Sequence, residues 1–484
     1  MALSRTTCAL VAIALAVGTA AAGPVGADPV LAGPVGPAVA APTYDRGLSD
    51  PREDSYYPAK GDAGLDVLHY DLDLEWRRAK RLLVGDATLR FRATRAADAF
   101  RLDLGRSLSV RRVLVDGVAT ARFEHTGKTL EVLHPVEAES RHTVRVVYRG
   151  TPEPVEAPTT RSDIATVGMK VTRDGRLRTM QEPFGAFTWY PTNDHPSDKA
   201  LYDIEVSAPA NWVGVSNGRL VERIDGARHT TTRWRLSDPA ASYLVTLAVG
   251  PYVRRTDTGP HGVELNFWLP RHRVGHYMKT LRHTAADLRW LEGKLGPYPF
   301  DSAGVVVVPG DSAMETQTLV TFGARRWDRG QAREVMVHEL AHQWYGDTVT
   351  PDDWTGLWLN EGMATYLQAR WDATHTNTTW KSWVADFRYY NSRLRDEDGP
   401  PAAYARDRFA ESCVYYCTAM MFEKLRRKLG NAVFWRLVRR WPQTHLNSTA
   451  DRHTFIAWVE ARTGRELSEF FDDWLFSPTW PPAD

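Results

Sequence analysis

His338, Glu339 and His342 stand in the run His338-Glu339-Leu340-Ala341-His342, and eighteen residues separate His342 from Glu361. On a helix, positions i and i+4 share a face, with Cβ atoms about 5–6 Å apart. Both imidazoles can then reach one metal ion, and Glu361, from a following helix, can supply a third ligand. Two His and one Glu make the ligand set of a catalytic zinc site that keeps a coordination position open. Glu339 is not needed as a ligand. It points to the same side and can accept a proton from water there.

The bland alternative is an amphipathic helix that happens to carry two histidines. Its neighbours argue otherwise. Glu334-Val335-Met336-Val337 leads in, Leu340, Ala341 and Trp344 follow, and Gly346 closes the segment. An apolar helix therefore carries the polar trio inward. Burying a carboxylate and two imidazoles without a partner is costly, and a metal ion is such a partner.

The chain has 484 residues, 43% of them hydrophobic, so it can bury large cores in two or three domains. Lys plus Arg number 60 and Asp plus Glu 59. That balance gives no electrostatic case for nucleic acid or an anionic membrane surface. Met1 to Ala22 have the pattern of a secretory signal: Arg5, an apolar run from Cys8 to Val17, then small residues. A cut after Ala21, Ala22 or Ala27 fits equally. The apolar run is short for a membrane span, and no later segment is long and apolar enough. We expect residues 1–27 to be removed on export and 28–55, rich in Gly, Pro and Ala, to form a disordered leader. Cys413 and Cys417 would remain, four residues apart. Outside the cytoplasm such a pair can form a disulfide or stay as two thiols, and the spacing leaves both open.

Two halves must position the motif. From Leu68 to Leu247 the period is two: Tyr70, Leu72, Leu74 and Trp76, then Leu89 and Phe91, then Val144 and Val146. Turns at Gly105, Asp116-Gly117 and Gly150-Thr151-Pro152 punctuate these runs. This predicts an antiparallel β-sandwich or saddle over 56–265. From Tyr277 the period becomes helical, apart from a short β-run at Gly304–Val308, which predicts a mainly helical domain over 266–484. The fold class is thus α+β and multidomain. Gly259-Pro260 and Pro270 mark the passage between the halves.

With the motif and its distant glutamate in place, the chain resembles the aminopeptidase N family of zinc metallopeptidases over roughly residues 60–480. The run Leu357-Trp358-Leu359-Asn360-Glu361-Gly362 carries the likeness, as does His342-Gln343-Trp344-Tyr345-Gly346-Asp347, with Asp347 where the family usually has Asn. Ser312-Ala313-Met314-Glu315-Thr316 resembles the family's Gly-x-Met-Glu-Asn loop, with Met314 and Glu315 kept. Gln181-Glu182-Pro183 resembles a second signature, followed by Trp189 to Ala200. There, Asp194 and His195 read as turn residues. Tyr415, counted back from the helix-ending Gly430, falls on the family's tyrosine, while Cys417 and Thr418 replace a Lys-Gly pair.

The resemblance implies a thermolysin-like catalytic domain and one zinc per chain, held by His338, His342 and Glu361. Glu339 would be the general base and Tyr415 the oxyanion donor. Glu182 and Glu315, with Met314, would bind the free amine end of a peptide. The function expected is therefore that of a secreted zinc aminopeptidase acting on peptides with a free N-terminus. An endopeptidase with the same zinc chemistry has no use for the two amine-binding glutamates. A silent peptide-binding homologue would keep the metal and lose turnover.

Overall fold

The computed structural model describes residues 44–481; the signal segment expected at 1–27 lies outside them. Residues 44–55, expected within a disordered leader, are instead built into the fold. Asp54 is buried, and its carboxylate accepts the backbone N–H of Tyr56, Tyr57 and Trp354. A single carboxylate that satisfies three backbone donors fixes this segment against the catalytic half.

The first half is β-rich, as the alternation predicts. Its largest sheet has eight strands, centred on Leu65–Arg77 and Leu82–Ala93, and extends through Arg141–Gly150 on one side and Lys199–Pro209 on the other. Leu72, Leu74 and Trp76 point into the core while the residues between them are partly exposed. The expectation of a purely antiparallel domain needs one correction. Leu65–Arg77 and Lys199–Pro209 run parallel, His69 opposite Leu201. The long excursion between them supplies the crossover that a parallel pair requires. A second, five-stranded sheet contains Leu177–Met180, which leads directly to Glu182.

A third sheet lies where the halves meet, in the order Tyr252–Thr258, Glu264–Pro270, Ser302–Val308, Val320–Gly323, Ala313–Met314. The expected division at 265/266 therefore falls inside a strand. Every residue of Ser302–Val308 is buried, as suits a strand with parallel neighbours and both faces covered. Ten α-helices complete the described chain: α1 Val274–Leu281, α2 Thr284–Leu295, α3 Ala324–Asp328, α4 Ala332–His342, α5 Leu357–His375, α6 Trp380–Asp398, α7 Ser412–Leu429, α8 Asn431–Thr444, α9 Arg452–Thr463 and α10 Ser468–Phe476. The helical period expected from Tyr277 is divided between α1 and α2. None of the helices is long and apolar enough to cross a membrane.

Candidate active site

Helix α4 carries His338, Glu339 and His342 on its buried C-terminal half, and α5, buried along most of its length, carries Glu361. The two helices pack so that the three ligand atoms form a small triangle. His338 Nε2 lies 3.0 Å from Glu361 Oε2 and 3.1 Å from His342 Nε2, and His342 Nε2 lies 3.2 Å from Glu361 Oε2. His342 Nδ1 is 3.0 Å from the Tyr345 carbonyl, which can accept only from Nδ1–H. In the neutral ring that hydrogen bond leaves the Nε2 lone pair facing a carboxylate oxygen. Although burial opposes it, Glu361 and then Glu315 push the His342 pKa well up, so the site calls for positive charge at this point. A metal ion supplies that charge to all three ligand atoms at once, so the residues fit a metal ion. The turn after α4 depends on Gly346, at φ 138°, where a Cβ would sit 3.3 Å from His342 Nδ1. Burial lowers the pKa of His338, which favours the neutral, ligating form.

Glu339 is 6% exposed and lines the cleft beside the triangle. Burial pushes its pKa up to about 8, and the charge of Glu315 adds to the effect. Glu315 follows the edge strand Ala313–Met314 and is also buried, which raises its pKa. Gln343, just past α4, donates from Nε2 to the Glu315 carbonyl at 2.9 Å, tying this loop to the metal-ligand helix. Glu182 arrives from the other half of the molecule. Burial, then Glu315, drives its pKa well above the carboxylate range, and its Oε1 has no hydrogen-bond partner among the described residues. Met314 Sδ lies 3.5 Å from the Gln181 backbone nitrogen, closing the wall between the two glutamates. Two buried carboxylates, Glu339 and Glu315, and the partly buried Glu182 thus converge on one cleft of about 570 Å³. Such a site favours a cation with several donors.

Both adjacent tyrosines line the cleft, and of the two it is Tyr415 that reaches the ligand triangle. Its hydroxyl donates to Glu361 Oε1 at 3.0 Å and accepts from Arg161 Nη1 at 3.0 Å. Tyr416 is 38% exposed and packs against Phe387. Arg161 is the participant that no sequence motif revealed. It lies in a loop of the β-rich half that is stitched to the segment before α7. Glu411 accepts from the Thr159 hydroxyl, the Thr160 hydroxyl and the Thr160 backbone N–H, and Arg161 donates to the Ala410 carbonyl. Cys413 and Cys417, left open by their spacing, form a disulfide across one turn of α7, flanking Tyr415. Asp194, read as a turn residue, accepts from Gly185 N–H and the Ser242 hydroxyl, and His195 Nδ1 lies 2.6 Å from Ser197 Oγ.

The sequence profile described as "Peptidase M1 N-terminal domain" matches residues 67–244, and that described as "Peptidase family M1 domain" matches 280–474. Between them they cover more than half of the chain. The protein belongs to the peptidase M1 family. Aminopeptidase M1 of Arabidopsis thaliana is 26% identical over 326 residues, 63% of this chain and 37% of that protein. Aminopeptidase N of Streptomyces lividans is 26% identical over 311 residues, 58% of this chain and 36% of that one. The matched part is thus little more than a third of these relatives' length. A crystal structure of an M1 zinc metallopeptidase from Deinococcus radiodurans is similar almost throughout. It is 29% identical, with a TM-score of 0.77, over 89% of this chain and 97% of that one. The M1 fold here is the β-rich half followed by the helical catalytic half.

Proposed function

We propose that this M1 peptidase is an exported, zinc-dependent aminopeptidase that removes the first residue from peptides. The observation that carries the reading is a pair of carboxylates, the partly buried Glu182 and the buried Glu315, beside the His338–His342–Glu361 triangle. A substrate ammonium group answers both at once. An endopeptidase, which binds the middle of a chain, would leave them uncompensated. Held there, the amine places the first peptide bond next to the metal ligands, so the glutamates measure one residue as well as supply charge.

One zinc ion per chain fits His338, His342 and Glu361, and when bound it supplies Lewis-acid polarisation and acidifies water. Glu339 takes the proton of the attacking water and returns it to the leaving amine. Its raised pKa suits a group that must both accept and donate near neutral pH. Tyr415, with Arg161 donating to its oxygen, is a polarised O–H donor for the oxyanion of the tetrahedral intermediate. Export is supported by the Met1–Ala22 pattern and by the Cys413–Cys417 bond, since disulfides persist in oxidising compartments.

The direct test is hydrolysis of leucyl-anilide by the purified protein. Activity should disappear with a chelator and return with stoichiometric zinc. Zinc bound without any turnover would point to the silent homologue.

A further inference from the structure

The catalytic cleft is continuous, through Glu182, Ser312 and Ala313, with a second cavity of about 620 Å³. The strand Leu177–Met180 forms part of its wall, and alternation turns both Arg178 and Met180 toward it. Glu182 follows four residues after Arg178, so their Cα atoms are at most about 14 Å apart. An arginine reaching in from one end and a substrate side chain from the other can close that span. The cavity can therefore take the side chain of a residue whose amine sits on Glu182 and Glu315.

The charges in this cavity are unequal in one respect. Its acids other than Glu182 are already paired within the protein. Asp311 accepts from Arg325 at 2.6 Å and Arg329 at 3.2 Å, Asp328 from Arg273, and Asp163 from Arg161 at 2.9 Å. Arg176 pairs with Asp174. Arg178 is partly buried, and its guanidinium makes no hydrogen bond or ion pair among the described residues. Burial dominates its environment and lowers its pKa; Tyr252 and the already paired Asp311 pull the other way, and Arg325 adds like charge. Gly310 leaves the guanidinium uncovered: a Cβ there would lie 3.6 Å from Arg178 Cζ, where any longer side chain would lie over it. An unpaired guanidinium facing a cavity is a site for a planar anion.

We propose that Arg178 selects substrates whose first residue is acidic, pairing with the side-chain carboxylate of glutamate or aspartate. This rests on the aminopeptidase reading and names its substrate class. Glutamine is the neutral isostere of glutamate, so wild-type enzyme offers the cleanest comparison. Glutamyl-anilide should exceed glutaminyl-anilide in kcat/KM by about 10–100-fold, the value of one charge-assisted pair. Arg178→Gln should abolish that preference while leaving glutaminyl- and leucyl-anilide nearly unchanged. Arg178→Glu should turn the preference toward arginyl-anilide. Equal rates on the glutamyl and glutaminyl substrates, or an Arg178→Gln loss shared by all substrates, would overturn the assignment of Arg178 alone. A wild type inactive on every anilide would overturn the aminopeptidase reading instead.

Discussion

The metal-ligand corner and the tyrosine wall line one cleft but are built in opposite ways. His338, His342 and Glu361 sit on two packed helices within one stretch of sequence, and each ligand atom lies within 3.2 Å of the other two. Tyr415 depends on residues far away in the chain: Arg161 for its hydrogen bond, and Thr159 and Thr160 for holding Glu411 at the start of α7. Helix geometry and the packing of two helices close in sequence set the first region, whereas docking of the β-rich half onto the catalytic half sets the second. Damage to the first should therefore be all-or-none, and damage to the second graded.

The largest expected effect is in the first region. His338→Ala removes one ligand of three, so bound zinc should fall below one per chain and turnover should vanish; metal analysis beside the anilide assay checks both. Glu339→Gln should keep zinc at one per chain and lower kcat by about 10²–10⁴-fold. Substantial hydrolysis by that variant would remove Glu339 as the base. On the tyrosine wall, Tyr415→Phe should lower kcat by about 10²–10³-fold with zinc retained.

Arg161→Gln should act through Tyr415, lowering kcat by about tenfold with little change in KM. Combined with Tyr415→Phe it should add almost nothing, because the two act as a unit. A purely structural arginine would give additive losses. The smallest effect should come from converting Cys413 and Cys417 to Ser. The loop they close is short and already helical, so the loss of stability should be at most about 2 kcal/mol, read as a modest fall in Tm.

The same contrast explains what could be read in the sequence. The ligand triangle was legible because i, i+4 spacing on a helix is a local geometric fact, and the alternation from Tyr70 to Trp76 showed the sheet for the same reason. Glu182 and Glu315 were legible only through resemblance to family signatures; spacing says nothing about residues in loops from separate sheets. Arg161 left no trace, since a single arginine in a loop becomes meaningful only when the halves dock. The parallel pairing of Leu65–Arg77 with Lys199–Pro209 was equally invisible, because strand alternation carries no information about direction. Asp54 was hidden by its neighbours. Composition called its segment a leader, while its carboxylate caps three backbone donors. Thr418, where the family has glycine, is accommodated by Gly362 opposite, on α5: a Cβ there would lie 2.2 Å from Thr418 Cγ2.

The central claim is that Glu182 and Glu315 turn a metal-dependent hydrolase into an aminopeptidase. It is tested most directly by the ratio of kcat/KM for leucyl-anilide to that for N-acetyl-leucyl-anilide, in wild type and Glu315→Gln. The account predicts a ratio of at least about 10³ in wild type, from a buried ammonium–carboxylate contact and its positioning of the bond. It predicts that Glu315→Gln loses most of that ratio by slowing the free-amine substrate alone. Comparable rates on the free and blocked substrates in wild type, or an equal loss on both in the variant, would contradict it.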